Sequence, residues 1–219
     1  MTSDGPIKVV LVEDHQMFRE WLGAMLCANG RFTICGEADN IVDALAVIRN
    51  TTPHIAIVDL TLRGSSGLEL IKDLKAHRLD VPVLVLSMHS EELYAERVLQ
   101  AGARGYICKH EASSTLTDAI RCVVEGGTYL SEKMKAKLMQ KLTLPDSTKP
   151  SGIDLLADRE LEVFYLLGKG YTNCKIADQL SLGEATVETY RVRIKAKLGF
   201  KSAVDLYSFA SRWVAERGL

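Results

Sequence analysis

The stretch His54-Ile55-Ala56-Ile57-Val58-Asp59 is a short apolar run that ends in a carboxylate. It is too short and too rich in β-branched residues for a stable helix, so it predicts a buried parallel strand that delivers an acid to its C-terminal end. In open α/β sheets, ligands bind at that edge. An acid at a strand end can equally cap the next helix, so the role of Asp59 depends on what the rest of the chain places beside it.

Four similar apolar runs predict further strands in the first 125 residues. They are Val9–Val12, Phe32–Cys35, Val83–Leu86 and Gly105–Cys108. Segments in which apolar residues recur at helical spacing lie between them. Five strands that alternate with five helices predict an α/β fold, a doubly wound parallel sheet with helices on both faces.

Polar side chains follow four of the five predicted strands. They are Glu13 and Asp14 after the first, Asp59 after the third, Ser87 after the fourth and Lys109 after the fifth. Three carboxylates at one edge repel one another, and their oxygens suit a hard divalent cation, first of all Mg²⁺. A lysine and a hydroxyl beside them would bind the oxygens of a phosphoryl group. In the alternative reading, Lys109 only neutralises the acids in a structural ion pair.

Composition limits the class of protein. The chain has 219 residues, of which 47% are hydrophobic and 25% charged, and its net charge is −1, which together predict two globular domains. No stretch of the sequence reaches the roughly 20 uncharged apolar residues of a membrane span, so we expect a cytoplasmic protein with no membrane partner. The five cysteines have no C-x-x-C spacing, which favours buried free thiols over disulfides or a metal site.

The last third of the chain predicts helices only. An apolar face begins behind Asp158 as N-cap, and Thr172 caps a second, shorter helix. A tight turn at Ser181-Leu182-Gly183 then leads into a helix over Glu184–Leu198, which gives the shape of a helix-turn-helix motif. Residues 191–201 contain five cations and no acid. Such a cluster is usually a solvated face, but it also suits a polyanion.

Residues 7–125 resemble a response-regulator receiver domain. The resemblance rests on V-E-D-H at 12–15, the strand that ends at Asp59, L-S-M at 86–88 and G-Y-I-C-K at 105–109. It implies a flavodoxin-like fold in which Asp59 accepts a phosphoryl group from a sensor histidine kinase. Only this self-catalysed transfer and its reversal by autodephosphorylation are expected, so the chain is not predicted to be an enzyme.

The same resemblance assigns roles to the other residues of the site. A Mg²⁺ cofactor would be held by Glu13, Asp14, Asp59 and the backbone carbonyl of Thr61. Ser87 and Lys109 would bind the phosphoryl oxygens as catalytic groups. Ser87 and Tyr106 would form the switch, because the loop after the fourth strand moves towards the phosphoryl group and the tyrosine fills the vacated space.

Three positions near Asp59 depart from the receiver pattern. Leu62-Arg63 replaces the usual Met-Pro, Ser66 stands where Asp or Asn is frequent, and Met88 stands where a small residue is common. A long thioether beside Ser87 is expected to restrict access of water or of a phosphoryl donor to Asp59. The departures remove no catalytic group, but they bear on the lifetime of the phosphoryl group.

Residues 153–211 resemble the LuxR-type DNA-binding domain of the NarL/FixJ regulators. The matching segments are L-A-D-R-E-L-E-V at 156–163, G-Y-T-N-C-K-I-A at 170–177, T-V-E-T-Y at 186–190 and K-L-G at 197–199. The resemblance implies an all-α four-helix domain whose third helix enters the major groove of promoter DNA. The DNA contacts would be made by Thr186, Glu188, Thr189, Arg191, Val192, Arg193, Lys195 and Lys197. Many relatives have a lysine in place of Glu188, and an acid can accept from the amino group of cytosine.

The last predicted helix, Ala203–Arg217, has more apolar residues than a small bundle needs to cover. Such a surplus suggests a surface for a partner. The resemblance implies a homodimer on activation, for which we select Val204, Tyr207 and Trp213 as interface residues. Burial of this helix under the receiver is the alternative.

The sequence therefore predicts three parts. They are a receiver over residues 1–128, a connecting helix and flexible linker over 129–152, and a DNA-binding domain over 153–219. Together they predict a phosphorylation-dependent transcriptional regulator, with RNA polymerase as a further candidate partner. The competing hypothesis is a receiver-controlled protein-interaction module that acts without direct DNA binding.

Overall fold

The structure, a computed structural model, describes residues 5–28, 30–62, 65–143 and 152–216, without the side chains of residues 142 and 143. The chain divides into two compact units, Met1–Leu144 and Pro145–Leu219. Arg63 and most of the predicted flexible linker lie outside the described residues.

The first unit is built around a five-stranded parallel sheet in the order β2-β1-β3-β4-β5. The strands are β1 (Ile7–Val12), β2 (Phe32–Ala38), β3 (Ile55–Val58), β4 (Val83–Ser87) and β5 (Gly105–Cys108). The helices are α1 (Gln16–Cys27), α2 (Ile41–Thr51), α3 (Gly67–Ala76), α4 (Glu91–Ala101), α5 (Ala112–Val124) and α6 (Glu132–Thr143). The doubly wound parallel sheet predicted from the apolar runs is confirmed.

Strand β3 lies at the centre of the sheet because both of its faces are apolar. All four of its residues are buried, and it pairs with β1 on one side and β4 on the other. Val58 lies beside Val12 and Val85 in register, so all three strands end at the same edge. The acid that follows Val58 is therefore delivered to the middle of that edge.

A short hairpin that the sequence did not predict follows Asp59. Thr61–Leu62 pairs antiparallel with Ser65–Ser66, and Ser66 then caps α3. The Ser66 hydroxyl accepts from the N–H of Leu68, and the Glu69 carboxylate accepts from the N–H of Ser66. Such a reciprocal cap fixes the start of the helix. The serine found in place of the usual Asp or Asn thus performs the capping role.

In the part of the second unit that the structure describes, a 3₁₀ turn at Gly152–Leu155 is followed by four α-helices, as predicted. They are α7 (Asp158–Gly168), α8 (Asn173–Leu180), α9 (Glu184–Lys197) and α10 (Ala203–Glu216). The hydroxyl of Thr172 caps α8 by accepting from the N–H of Lys175. The N-cap predicted for α7 is wrong by one residue: Ala157 is the cap, and its N–H donates to the Glu160 carboxylate at 2.7 Å. Among the described residues, none of the helices is both long enough and apolar enough to cross a membrane.

The glycine at the start of α3 generates a test of this packing. A Cβ on Gly67 would lie 2.0 Å from the backbone oxygen of Asp59, so Gly67→Ala forces the backbone at the end of β3 to shift. Overpacking of this kind costs about 1–3 kcal/mol. We expect a corresponding loss in the free energy of unfolding, measured by urea denaturation. Gly5→Ala is the control, because a Cβ there has open space. Equal stabilities of the two variants would contradict the close approach.

Candidate functional site

The carboxyl ends of the parallel strands bring four polar segments to one edge of the sheet. Glu13 and Asp14 follow β1, Asp59 follows β3, Ser87 ends β4 and Lys109 follows β5. Glu13, Asp59 and Ser87 are buried. Groups 46 or more residues apart along the chain, such as Asp59 and Lys109 or Asp59 and Glu13, therefore become neighbours only through the topology of the sheet.

Lys109 lies between two carboxylates. Its Nζ is 2.8 Å from Asp59 Oδ2 and 2.7 Å from Glu13 Oε2, and it also lies 4.5 Å from the ring centroid of Phe18. Burial opposes the charge of Lys109, but Asp59 and Glu13 outweigh it and raise the pKa of the ammonium. Lys109 is therefore a fixed cation at this edge.

One lysine does not neutralise all the acids of the site. Burial raises the pKa of Asp59 from 3.8 to about 6, and the neighbouring Glu13 adds to the rise, although Lys109 and the N–H of Thr61 oppose it. The ionised form of Asp59 therefore lacks sufficient compensating charge in the protein alone. A further cation would stabilise it.

The donor atoms around Asp59 fit a hard divalent cation. Ligand atoms from Glu13, Asp14, His15 and Asp59 all lie within 4.8 Å of one another. Three of the four are carboxylates, the ligand type that Mg²⁺ prefers. Thr61 lies next to this cluster, because its N–H donates to Asp59 Oδ1 at 3.3 Å. The geometry is therefore suited to Mg²⁺.

His15 is a neighbour of the site to which sequence reasoning gave no role. The ring Nδ1 of His15 lies 2.8 Å from Asp14 Oδ1 and 3.2 Å from Glu13 Oε1. The backbone N–H of His15 also donates to Glu13 Oε1. His15 occupies the N-cap position of α1, directly after the two acids. The position of His15 directly after two acids could have indicated, from the sequence alone, an imidazole beside both carboxylates.

Tyr106 points into the first unit. It is buried, and its hydroxyl donates to the backbone oxygen of His89 at 2.8 Å. Burial raises the pKa of Tyr106 well above its ordinary value, so the hydroxyl remains a donor. The N–H of His89 in turn donates to the Ser87 hydroxyl at 3.2 Å. The residues selected as the switch are thus linked through the backbone of His89.

The imidazole of His89 extends this link to the loop after Asp59. Its Nε2 lies 3.0 Å from the hydroxyl of Thr61, and its ring packs at 5.0 Å on the ring of Tyr94 in α4. The sequence around His89 does not indicate this role, since the partners of His89 come from two other segments. It connects the loop beside Asp59 with the helix that follows β4.

Met88 does not cover the site in the way that its length suggested. Its exposed fraction is 74%, so the side chain extends into solvent from the loop between β4 and α4. Access to Asp59 is consequently not closed by packing of this thioether.

Helix α9 and the turn before it form the second candidate site. Val187 and Ile194 bury one side of the helix, and Ser181 adopts a left-handed conformation with φ of 52° in the turn. The opposite side is exposed at Thr186, Glu188, Thr189, Val192 and Arg193. The structure thus places these predicted DNA-contacting residues on the accessible part of the helix.

Two of the predicted phosphate-binding cations are engaged within the second unit. Arg191 donates to the Glu188 carboxylate at 2.6 Å and to Asn173 Oδ1 at 3.0 Å, and its Cζ lies 5.0 Å from the ring centroid of Tyr207. Lys197 lies 2.6 Å from the Glu160 carboxylate. These contacts tie α9 to its neighbouring helices. Arg193 and the half-buried Lys195 have no ion pair among the described residues.

The predicted dimerisation residues differ in their exposure. Val204 is 71% exposed and Tyr207 is half-buried beneath Arg191, whereas Trp213 is buried with its ring 5.3 Å from that of Phe164. Trp213 therefore belongs to the interior of the unit and does not form part of its surface. Most of the apolar side chains of α10 that were expected to exceed the needs of the bundle pack against α7.

Both units match known families. Residues 9–121 match the model described as the response regulator receiver domain, and residues 154–210 match the model described as bacterial regulatory proteins of the luxR family. BvgA of Bordetella pertussis, named for the regulation of virulence factors, is 34% identical over 207 residues, which cover 94% of this chain and 97% of BvgA. The similarity therefore spans both units.

Two further comparisons extend this result. The DNA-binding transcriptional activator DevR/DosR of Mycobacterium tuberculosis is 34% identical over 206 residues, which cover 94% of each chain. The crystal structure of the response regulator ChrA from a heme-sensing two-component system is similar with a TM-score of 0.52 and 30% identity, over 95% of this chain and 98% of ChrA.

The raised pKa of Asp59 generates a test of the charge balance. Without a divalent cation, the pKa of Asp59 is about 6 in the folded state and 3.8 in the unfolded state. Between pH 4 and 7 the folded state therefore binds more protons at Asp59 than the unfolded state does. The stability of the wild type should therefore fall relative to that of Asp59→Asn as pH rises through this window, measured by urea denaturation.

Mg²⁺ should remove this difference. A ligand at 100 times its Kd stabilises the folded state by about 2.7 kcal/mol, and we expect such a gain for the wild type but a much smaller one for Asp59→Asn. Asp80→Asn, which changes an exposed aspartate, is the matched control and should follow the wild type in both series. Parallel pH curves for wild type and Asp59→Asn would contradict the proposed balance.

Proposed function

The chain belongs to the response-regulator family of transcription regulators that join a receiver domain to a LuxR-type DNA-binding domain, and we propose that phosphorylation of Asp59 controls its binding to promoter DNA. The observation that carries this proposal is the position of Lys109 between Asp59 and Glu13, at 2.8 Å and 2.7 Å. This arrangement supplies an acceptor carboxylate together with a fixed cation for the incoming phosphoryl oxygens.

The phosphoryl donor is the phosphohistidine of a sensor histidine kinase. The P–N bond of the donor breaks while a P–O bond forms to a carboxylate oxygen of Asp59, so the acceptor must be ionised. Lys109 favours that form, and the hydroxyl of Ser87, at the end of β4, would donate to a phosphoryl oxygen. Such a transfer needs positioning and charge neutralisation more than acid or base catalysis.

Mg²⁺ completes the charge balance of the site. Glu13, Asp14, Asp59 and the backbone carbonyl of Thr61 would hold it, and when bound it neutralises charge on the transferred phosphoryl oxygens. The excess of carboxylates over Lys109 supports this assignment.

The switch operates by a shift of populations. Tyr106 is inward in the structure, where its hydroxyl donates to the backbone oxygen of His89. A phosphoryl group on Asp59 that binds Ser87 draws the β4–α4 loop inward and stabilises this orientation of Tyr106. The phosphoryl group thereby changes the relative energies of two states of one loop.

Helix α9 reads the DNA. Its exposed side, with Thr189, Val192 and Arg193, enters the major groove, while cations near its C-terminal end meet phosphates. The carboxylate of Glu188, which accepts from Arg191, would also accept from a cytosine amino group. A module that never contacts DNA is not favoured, because residues 154–210 match a family model of bacterial regulatory proteins.

The active form is a homodimer on a two-fold DNA site, and RNA polymerase is a partner at the promoter. In this scheme residues 1–128 receive the signal, residues 129–152 connect, and residues 153–219 bind DNA. We place the protein in the cytoplasm because promoter DNA and the phosphohistidine of the kinase, its proposed partners, are found there. Val204 and Tyr207 remain the accessible dimerisation residues on α10.

Phosphoryl labelling tests the receiver half of the proposal. Acetyl phosphate with Mg²⁺ should label the wild type and Asp80→Asn, and it should give no label on Asp59→Asn, because the amide is not a nucleophilic carboxylate. The label is measured as an acid-stable, base-labile mobility shift on a phosphate-binding gel. Persistent labelling of Asp59→Asn would remove Asp59 from the acceptor role.

Salt dependence tests the DNA-binding half. Each phosphate contact contributes roughly 0.9 to the slope of log affinity against log salt. Arg193→Ala should weaken binding to a cognate promoter fragment and flatten the slope by about that amount, measured by fluorescence anisotropy. Arg31→Ala removes an exposed cation from the first unit and should leave the slope unchanged. Equal slopes for all three proteins would contradict the docking of α9.

A further inference from the structure

The segment between α5 and α6 is hydrogen-bonded to the strand that carries Tyr106. The N–H of Tyr129 donates to the oxygen of Arg104 at 2.9 Å, and the N–H of Tyr106 donates to the oxygen of Tyr129 at 3.0 Å. Tyr129 thus forms a one-residue bridge on β5, opposite Gly105. The segment that leads into α6 is therefore hydrogen-bonded to the sheet directly beside Tyr106.

Helix α6 then lies against α4. The backbone N–H of Ser131 donates to Glu91 Oε1 at 2.8 Å, and Met134 is buried. Two ion pairs follow in the same order along both helices. They are Lys133 with Glu92, and Lys141 with Glu96 at 2.5 Å. An acidic row on α4 is therefore matched by cations on α6.

The structure assigns α6 the role of a charge-held cover on α4 whose attachment depends on the state of Asp59. Both of its attachment points lead to the switch. One is β5 through Tyr129, and the other is α4, which follows Ser87 and the loop that contains His89. In this proposal a movement of that loop shifts α4 relative to β5, so that the Tyr129 bridge and the ion pairs between α6 and α4 no longer fit together.

The strength of the contacts suits a reversible cover. The paired side chains are 29% to 81% exposed, so each pair contributes little and is screened by salt. Such contacts can be broken by a local displacement of α4 without loss of the fold. The inference rests on the proposed phosphorylation of Asp59, and it specifies how a change at Asp59 alters the contacts of the helix that follows the receiver.

The test measures hydrogen exchange of the α6 amides in the full-length protein with Mg²⁺, with and without beryllofluoride. Beryllofluoride should accelerate exchange in α6 by about tenfold, as should Glu92→Lys with Glu96→Lys in its absence. Adding Lys133→Glu and Lys141→Glu to that variant should restore slow exchange, because opposite charges face each other again. Lys137→Glu changes an exposed cation of the same helix and should leave exchange unchanged.

Three results would overturn the inference. They are unchanged α6 exchange with beryllofluoride, unchanged exchange after charge reversal, and no recovery when the four charges are exchanged. Labelling by acetyl phosphate in the same proteins separates the two proposals. A wild type that is labelled at Asp59 but shows no change in α6 contradicts the cover alone, whereas a wild type without label contradicts the proposed function itself.

Discussion

The contact of Lys109 with Asp59 and Glu13 is the interaction on which the rest of the first unit depends. Two carboxylates buried at a sheet edge would be costly without a cation, since removing one partner of a buried pair costs about 3–5 kcal/mol. The lysine reaches them only if β5 lies next to β4 and ends in register with it. The strand order and the charge centre therefore require each other, and the remaining excess of negative charge suits a further cation.

The sheet was readable from the sequence because burial on both faces leaves a strong local pattern. The run Ile55–Val58 was assigned with its observed bounds, as was Gly105–Cys108. Strand β2 extends beyond its predicted end to Ala38, because Gly36 and Glu37 interrupt the apolar run without ending the pairing with β1. Polar residues directly after apolar strands could likewise be located, since the topology of a parallel sheet decides where such ends meet.

Residues whose partners are remote in sequence could not be found in this way. The role of His89 depends on Thr61 and Tyr94, which belong to different elements, so no local spacing reveals it. Trp213 was assigned to a surface because apolar residues on α10 exceeded one face, but Phe164 of α7 packs on it. Lys197 reads as a free cation although Glu160 of α7, 37 residues away, neutralises it. Periodicity shows which residues are apolar or charged, but it does not show which of them find partners.

The bridge that Tyr129 makes on β5 also bears on how copies of this chain can associate. An edge strand with free N–H and C=O groups is a template for pairing with a strand of another molecule, and such pairing leads to aggregation. Tyr129 occupies the carbonyl of Arg104 and the N–H of Tyr106 at the start of β5, which obstructs pairing of another strand at this part of the edge. At this part of the edge, association between copies would therefore rely on contacts between side chains.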